Sequence, residues 1–529
     1  MTRGLQAGAA NGYTQQSRIV AFLSAAGTID AAPAKVFRTH AAIVFVGATR
    51  ALKIKRAVKL PYLDFSTLER RRAACLHEIE VNRTAASDIY LGVVPIIERT
   101  GGGLAIGGPG TPLEWAVEMR AFDQADLLSE RAAAGLLPPA LLTALADAVA
   151  TAHERAQIRT GTDAVAKMSS IVRDVTVAAR ASASDGLATR IDAVRLAAET
   201  ALARAEPVLV ARAAAGCVRR CHGDLHLANI VVWDGRPTPF DAIEFDDEIA
   251  TVDTLYDLAF LLMDLDRRSG RAAANIVLNR YLWRTGSIAD LVGLAALPLF
   301  LGMRAAIRAL VAEDRARLQA DDAACAQSAT IEAADYLDRA LRYLVPAKPS
   351  LIAVGGLSGS GKSTLARALA PAVGPAPGAV LLRSDLERKA LAGVAETERL
   401  AKESYTQAAS DRVYARLFDR AAAALSAGHG VIADAVFLKS TERARLREIA
   451  KLAGVPFLGL WLDAPAAALA ARVTDRTGDA SDATVEVVGR QLAEDAGAID
   501  WHRIDASRTI EETLEAAFAV ARTMLPLCS

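Results

Sequence analysis

Paired cysteines, an excess of one charge sign and long apolar runs are all missing from this sequence. The five cysteines (Cys75, Cys217, Cys221, Cys325 and Cys528) are scattered, odd in number and without a CxxC pair. That pattern supports neither a disulfide framework nor a zinc site. Lys+Arg and Asp+Glu both number 61, for a formal charge of +0. No electrostatic partner is implied, so neither nucleic acid nor an anionic membrane is expected. The N-terminal MTRGLQAGAANGYTQQSR has no apolar core of the kind a signal peptide needs. The longest apolar stretch, Leu291 to Met303, contains Pro298 and stops at Arg304. It is too short to span a bilayer and suits a buried helix. These absences together make a cytoplasmic protein the expectation.

A chain of 529 residues exceeds what one hydrophobic core organises, so two or more domains are expected. The hydrophobic share of 52% and charged share of 23% fit a globular protein without long disorder. Residues 1–15 have the composition of a loose leader. From residue 40, AAIVFVG and ALKIKRAVKL read as two strands about a turn, and Ser66–Ala86 as a helix with Leu68, Ala73, Leu76 and Ile79 at helical spacing. LGVVPIIE, a glycine-rich hairpin at Gly101–Gly110 and LEWAVEM follow as strands. Residues 125–214 and 253–344 read as helix, interrupted by a motif region at 221–247. VPAKPS (345–350), with two prolines, is the best linker. Beyond it, the strands LIAVGG, AVLLRSD, GVIADAV and PFLGLWLD alternate with helices, which predicts a parallel sheet covered on both faces. No internal repeat relates the halves. The expected domains are therefore 16–344 and 351–529.

Gly356-Leu-Ser-Gly-Ser-Gly-Lys-Ser-Thr364 matches G-x-x-x-x-G-K-[ST] between an apolar strand and a helix. Gly356, Gly359 and Gly361, with Ser358 and Ser360 between them, let backbone N–H groups wrap a phosphate at a helix N-terminus. Lys362 would neutralise the β/γ-phosphates, Ser363 would hold Mg²⁺, and Thr364 completes the motif. Asp385 ends the next strand, where it faces the ligand crevice and could act as general base. Arg388 and Lys389 could grip an anionic substrate or cap a helix. Asp434 ends a further strand, near Mg²⁺ or capping a turn. Arg472 and Arg476 precede a polar stretch, TGDASDATVE, and would stabilise charge developing in phosphoryl transfer. Residues 351–525 resemble the P-loop small-molecule kinases, including the gluconate kinase-like and zeta-toxin-like groups.

His222-Gly-Asp-Leu-His-Leu-Ala-Asn229 has the form H-G-D-x-H-x-x-N, ahead of a strand IVVW. Asp224 precedes Asn229 by five residues, the separation of base and metal ligand in a protein-kinase catalytic loop. His222 would orient the loop, and His226 is equally well read as structural. Cys221 beside His222 could be a reactive pair, but a small buried residue at a turn is the stronger reading. Residues 20–340 resemble the aminoglycoside phosphotransferase/choline kinase family, and closest the bacterial proteins that fuse such a domain to a P-loop kinase. The resemblance implies an Asp metal ligand soon after the loop. Glu244 and Asp246, on one face of a strand, are favoured over Asp241 for it. Asp257 resembles the buried Asp that braces the loop. Lys53 and Lys55, on one strand face, with Glu78 on the helix, would hold the α/β-phosphates.

The expected fold is therefore α/β and α+β in two domains, protein-kinase-like then P-loop NTPase. The expected activity is Mg²⁺- and ATP-dependent phosphotransfer to hydroxyls of small molecules by both halves. Fold does not fix substrate, and no dense acidic patch argues for antibiotics. Three alternatives stay open: a nucleotide-sensing P-loop ATPase regulating one kinase, a pseudokinase binding module fused to a P-loop kinase, and phosphorylation of protein.

Overall fold

The computed structural model describes residues 15–39, 41–60, 63–183, 185–319, 321–475, 480–525 and 527. Compactness divides the chain into two units, 1–159 with 218–257, and 160–217 with 258–529. The β-rich part and catalytic loop of the first expected domain thus form one unit. Its long helices pack with the P-loop region in the other, and Ser350 of the expected linker is buried there.

In the first unit, a six-stranded antiparallel sheet runs in the order Lys35–Arg38, Ala42–Val46, Arg50–Lys55, Thr111–Arg120, Tyr90–Glu98, Leu104–Ile106. Alternation along Arg50–Lys55 sends Leu52 and Ile54 into a core with Phe45, Ile96 and Ala116, and leaves Lys53 and Lys55 on the other face. The helix Leu68–Ala86, capped by Thr67, packs beside it. Its buried face is Arg71, Ala74, Cys75, Glu78, Ile79, Asn82 and Ala86, whereas Leu76 is exposed. The apolar spacing expected through Leu76 is corrected here. The face turned inward carries charged groups that the site pairs, so hydrophobicity does not mark it.

The second unit holds the helices Ala164–Ser182, Asp185–Ala214, Arg271–Thr285, Leu297–Leu318 and Ala323–Leu344, and a five-stranded sheet. The sheet is parallel throughout, in the order Val380–Arg383, Val431–Asp434, Leu351–Gly356, Phe457–Asp463, His502–Asp505. The last strand was not expected: in HRID only Ile504 is buried, so no apolar run announces it. Residues 288–318 are long and apolar enough to cross a membrane, but 67% of their most apolar window is buried in the protein. Arg304 lies there over the Phe260 ring.

Candidate functional site

The first unit gathers its cations around one carboxylate. Lys53 Nζ lies 2.8 Å from Glu78 Oε1, and Lys55 Nζ 2.5 Å from Glu78 Oε2. Lys53 also pairs with Asp241, and Lys55 with Glu244. Burial pulls the Lys53 ammonium down, but Asp241, Glu78 and Glu244 outweigh it and hold it well above its usual range. Both lysines therefore stay charged in an interior that would otherwise neutralise them.

The catalytic loop is fixed from behind. Asp257, fully buried in the helix Thr254–Ser269, accepts from Gly223 N (2.8 Å), His222 N (3.3 Å) and His153 Nε2 (3.1 Å). This is the bracing role that the resemblance implies for Asp257. His153, Cys221 and Asp257 lie close enough to resemble a metal cluster, but Asp257 already has these donors and Cys221 Sγ donates to Val252 O. Cys221 is buried, as its bland reading has it. Burial lowers the His222 pKa, so the ring is neutral: Nε2 donates to Phe240 O (2.9 Å) and Nδ1 accepts from Asp224 N (3.3 Å). Asn229 Nδ2 donates to Asp224 Oδ2 (2.9 Å), and His226 Nε2 lies 3.3 Å from the same oxygen. Asp224 keeps about 41% of its side chain exposed.

The three acidic candidates after the loop occupy different places. Glu244 is buried on Lys55. Asp246 caps the short helix Asp247–Ala250, accepting from Glu248 N and Ile249 N. Asp241 holds a left-handed backbone (φ 60°), donates its N–H to Tyr90 Oη and carries its carboxylate to Lys53. Of the three, Asp241 is the one that forms an ion pair with Lys53, and 40% of its side chain is exposed.

In the second unit, Gly356 and Gly359 take positive φ (135° and 85°), and a Cβ on either would lie 2.6 Å from a carbonyl oxygen, Leu462 O or Leu469 O. Only glycine closes this loop. The helix Lys362–Leu369 starts directly behind it. Lys362 Nζ donates to Leu357 O (2.9 Å), and Gln491 Oε1 accepts from Ser358 N (2.9 Å). Ser360 Oγ is buried, while Gly361 caps the helix ahead of Ser363 and Thr364. Ser363 Oγ donates to Asp434 Oδ2 at 2.6 Å. A hydroxyl and a carboxylate in contact at this helix start are a donor set that fits Mg²⁺.

Asp385 does not end the strand as expected: the strand Val380–Arg383 stops two residues before it, and Asp385 lies in the first turn of the helix Ser384–Ala392. Burial raises its pKa, the Arg383 and Lys362 charges oppose the rise, and the Asp434 charge adds to it. Ser481, in the DASDA stretch, hydrogen-bonds it. Arg388 donates to Ser404 O (2.6 Å) and stacks on Tyr405. Lys389 is buried on Asp482 (2.8 Å), which also accepts from Tyr405 Oη (2.6 Å) and Leu400 N (3.1 Å). The basic pair therefore serves the protein itself. Arg472 is half-buried, with no ion pair or side-chain hydrogen bond among the described residues. Arg476 lies outside the described residues.

Sequence reasoning missed Arg383. It is buried, donates to Ser363 Oγ (3.2 Å) and lies 3.4 Å from Asp434 Oδ2. An arginine ending the apolar run VLLR was its available signal, since buried arginines are rare unless paired.

Residues 351–495 match the AAA domain family. A gluconokinase from Sinorhizobium meliloti 1021 is 26% identical, over 34% of this chain and 95% of that one, with a TM-score of 0.24. A choline/ethanolamine kinase family protein from Mesorhizobium loti is 16% identical, over 62% of this chain and 99% of that one, with a TM-score of 0.36. The uncharacterized protein Rv2004c of Mycobacterium tuberculosis is 30% identical over 516 residues, 94% of this chain and 99% of its own length. That alignment runs through both halves, and the chain belongs to the family of this mycobacterial protein.

Proposed function

We propose that the chain is a bifunctional, cytoplasmic, Mg²⁺- and ATP-dependent phosphotransferase, each half moving a γ-phosphoryl group to a hydroxyl of a small molecule. The observation that carries this reading is a carboxylate on a braced or buried element together with fixed cations in each unit. These are Asp224 in the loop that Asp257 braces, with Lys53 held by Glu78 and Asp241, and Asp385, which feels the Lys362 and Arg383 charges.

In the first unit, Asp224 takes the proton of the acceptor hydroxyl while Asn229 and His226 hold its carboxylate in place. Lys53, fixed by Glu78, faces the α/β-phosphates. Asn229 and Asp241 are the metal ligands we favour, since Asp241 is part-exposed beside Lys53, whereas Glu244 is buried on Lys55 and Asp246 caps a helix. In the second unit, Asp385 is the base, and its burial makes it a stronger one than an exposed carboxylate. Lys362 and Arg472 balance phosphate charge, and Ser363 with Asp434 would hold the metal. Mg²⁺, when bound, neutralises β/γ-phosphate oxygens.

The test is ATP consumption by the purified chain against sugars, polyols, nucleosides and aminoglycosides, with Asp224→Ala and Lys362→Ala alongside. Acceptor-dependent turnover lost in one variant only assigns that acceptor to that half. If no acceptor raises turnover above a basal rate that Lys362→Ala alone abolishes, the two-kinase reading fails.

A further inference from the structure

The helix Arg271–Thr285 precedes the P-loop region, yet its side chains reach the segment that carries Arg383 and Asp385. Val380–Arg383 is an edge strand, paired on one side only, with Val431–Asp434. On its open side Asn279 does the work of a neighbouring strand: Oδ1 accepts from Leu381 N (2.6 Å) and Nδ2 donates to Ala379 O (3.1 Å). Asn275 Nδ2 joins it on Ala379 O (3.1 Å). Four residues beyond Asn279, on the same helix face, Trp283 Nε1 donates to Leu386 O (3.2 Å), beside Asp385. Open strand edges need such cover.

A second link is ionic. Arg280 Nη1 lies 2.8 Å from Glu396 Oε2, and Glu396 Oε1 lies 3.7 Å from Arg383 Nη1. The same Arg383 guanidinium lies against Ser363 Oγ and Asp434 Oδ2. Glu396 therefore sits between two arginines, and the outer one partly neutralises its pull on the inner one. Arg383 is buried, so these charges act in a medium that screens them weakly.

We infer that Arg280 and Glu396 are positioning residues for the P-loop site, setting through Arg383 how readily Ser363 and Asp434 accept a divalent cation. The inference rests on the P-loop reading above. Without Arg280, Glu396 draws Arg383 away from Asp434 and the cation competes with less positive charge. Without the Glu396 carboxylate, Arg383 settles on Asp434 and competes more.

The experiment titrates Mg²⁺ against binding of a fluorescent ATP analogue to the full chain, taking as signal the part that Lys362→Ala removes. Arg280→Met is expected to move the Mg²⁺ midpoint down at least three-fold and Glu396→Gln to move it up at least three-fold, with Arg280→Lys close to wild type. Opposite shifts with an intact Lys rescue support the relay, because a general loss of structure moves both variants the same way. Midpoints unchanged in both variants, or shifted in one direction, overturn it. Should Arg280→Met fail to fold, an unshifted Glu396→Gln alone overturns it and an upward shift supports it. Absence of any Lys362-dependent binding in the wild type brings down the P-loop reading together with the inference. Wild-type midpoints in the variants bring down the inference alone.

Discussion

In the first unit the cations we propose to face phosphate are side chains brought from afar: Lys53 meets Glu78 across 25 residues and Asp241 across 188. In the second, nine consecutive residues supply the cradle from their own backbone, and the helix behind them adds its dipole. The first arrangement must keep two ammonium groups charged while buried, and does so with three carboxylates. The second uses partial charges that cannot be titrated away. A site of distant ion pairs fails when any partner is lost. A backbone site tolerates changes around it, but the base we propose, Asp385, the carboxylate Asp434 beside Ser363, and Arg383 come from other elements.

The largest effects should come from removing one base or one cradle at a time. Asp224→Asn and Lys362→Ala are each expected to lower the turnover of their own half about 100- to 10,000-fold and leave the other half intact. Acceptor-dependent ATP consumption reads this directly, and a single variant that silenced both halves would break the comparison of two separate sites.

Next in size is Asp482→Ala, which leaves the buried Lys389 ammonium without its carboxylate. Denaturant unfolding should show a loss of about 3 kcal/mol. Adding Lys389→Met should restore much of it, because the unpaired charge is then gone.

Asp257→Asn exchanges a carboxylate that accepts three hydrogen bonds for an amide with a single acceptor oxygen. Around 2 kcal/mol of stability should go with it. Asp224-dependent turnover should fall while Lys362-dependent turnover holds.

The smallest expected effect concerns pH. Burial pushes Glu442 up to about 6, so the folded protein binds its proton more tightly than the unfolded chain does. Stability from this group is present at low pH and lost as pH rises from the ordinary carboxylate range through about 6. Glu442→Gln should flatten the pH dependence of the unfolding free energy over that window, by an amount on the order of 1 kcal/mol after solvent screening, as read by denaturant unfolding.

Much of this was legible locally. Gly356–Thr364 and His222–Asn229 are read from spacing along the chain, and the central strands of both sheets follow from apolar alternation and β-branched runs, while the edge strand Lys35–Arg38 was not expected. The strand His502–Asp505 was not legible, because one buried isoleucine in four residues leaves no pattern. The helix Leu68–Ala86 misled in the opposite sense: Leu76 faces solvent while Arg71 and Glu78 are buried. Inward-facing charge looks like surface until its partners are known.

The sequence by itself determined the two motifs, the P-loop Gly356–Thr364 and the H-G-D-x-H-x-x-N loop His222–Asn229, and the residues they contain, since loop and helix-start geometry depend on neighbours a few residues apart. Only the tertiary structure decided that Asp241, and neither Glu244 nor Asp246, forms an ion pair with Lys53. It also placed Arg383 against Ser363 and docked the helix Arg271–Thr285 on an edge strand. Those contacts join residues about 20 to 190 positions apart, and a charge pair leaves no periodic trace in the chain when fold topology alone brings its members together.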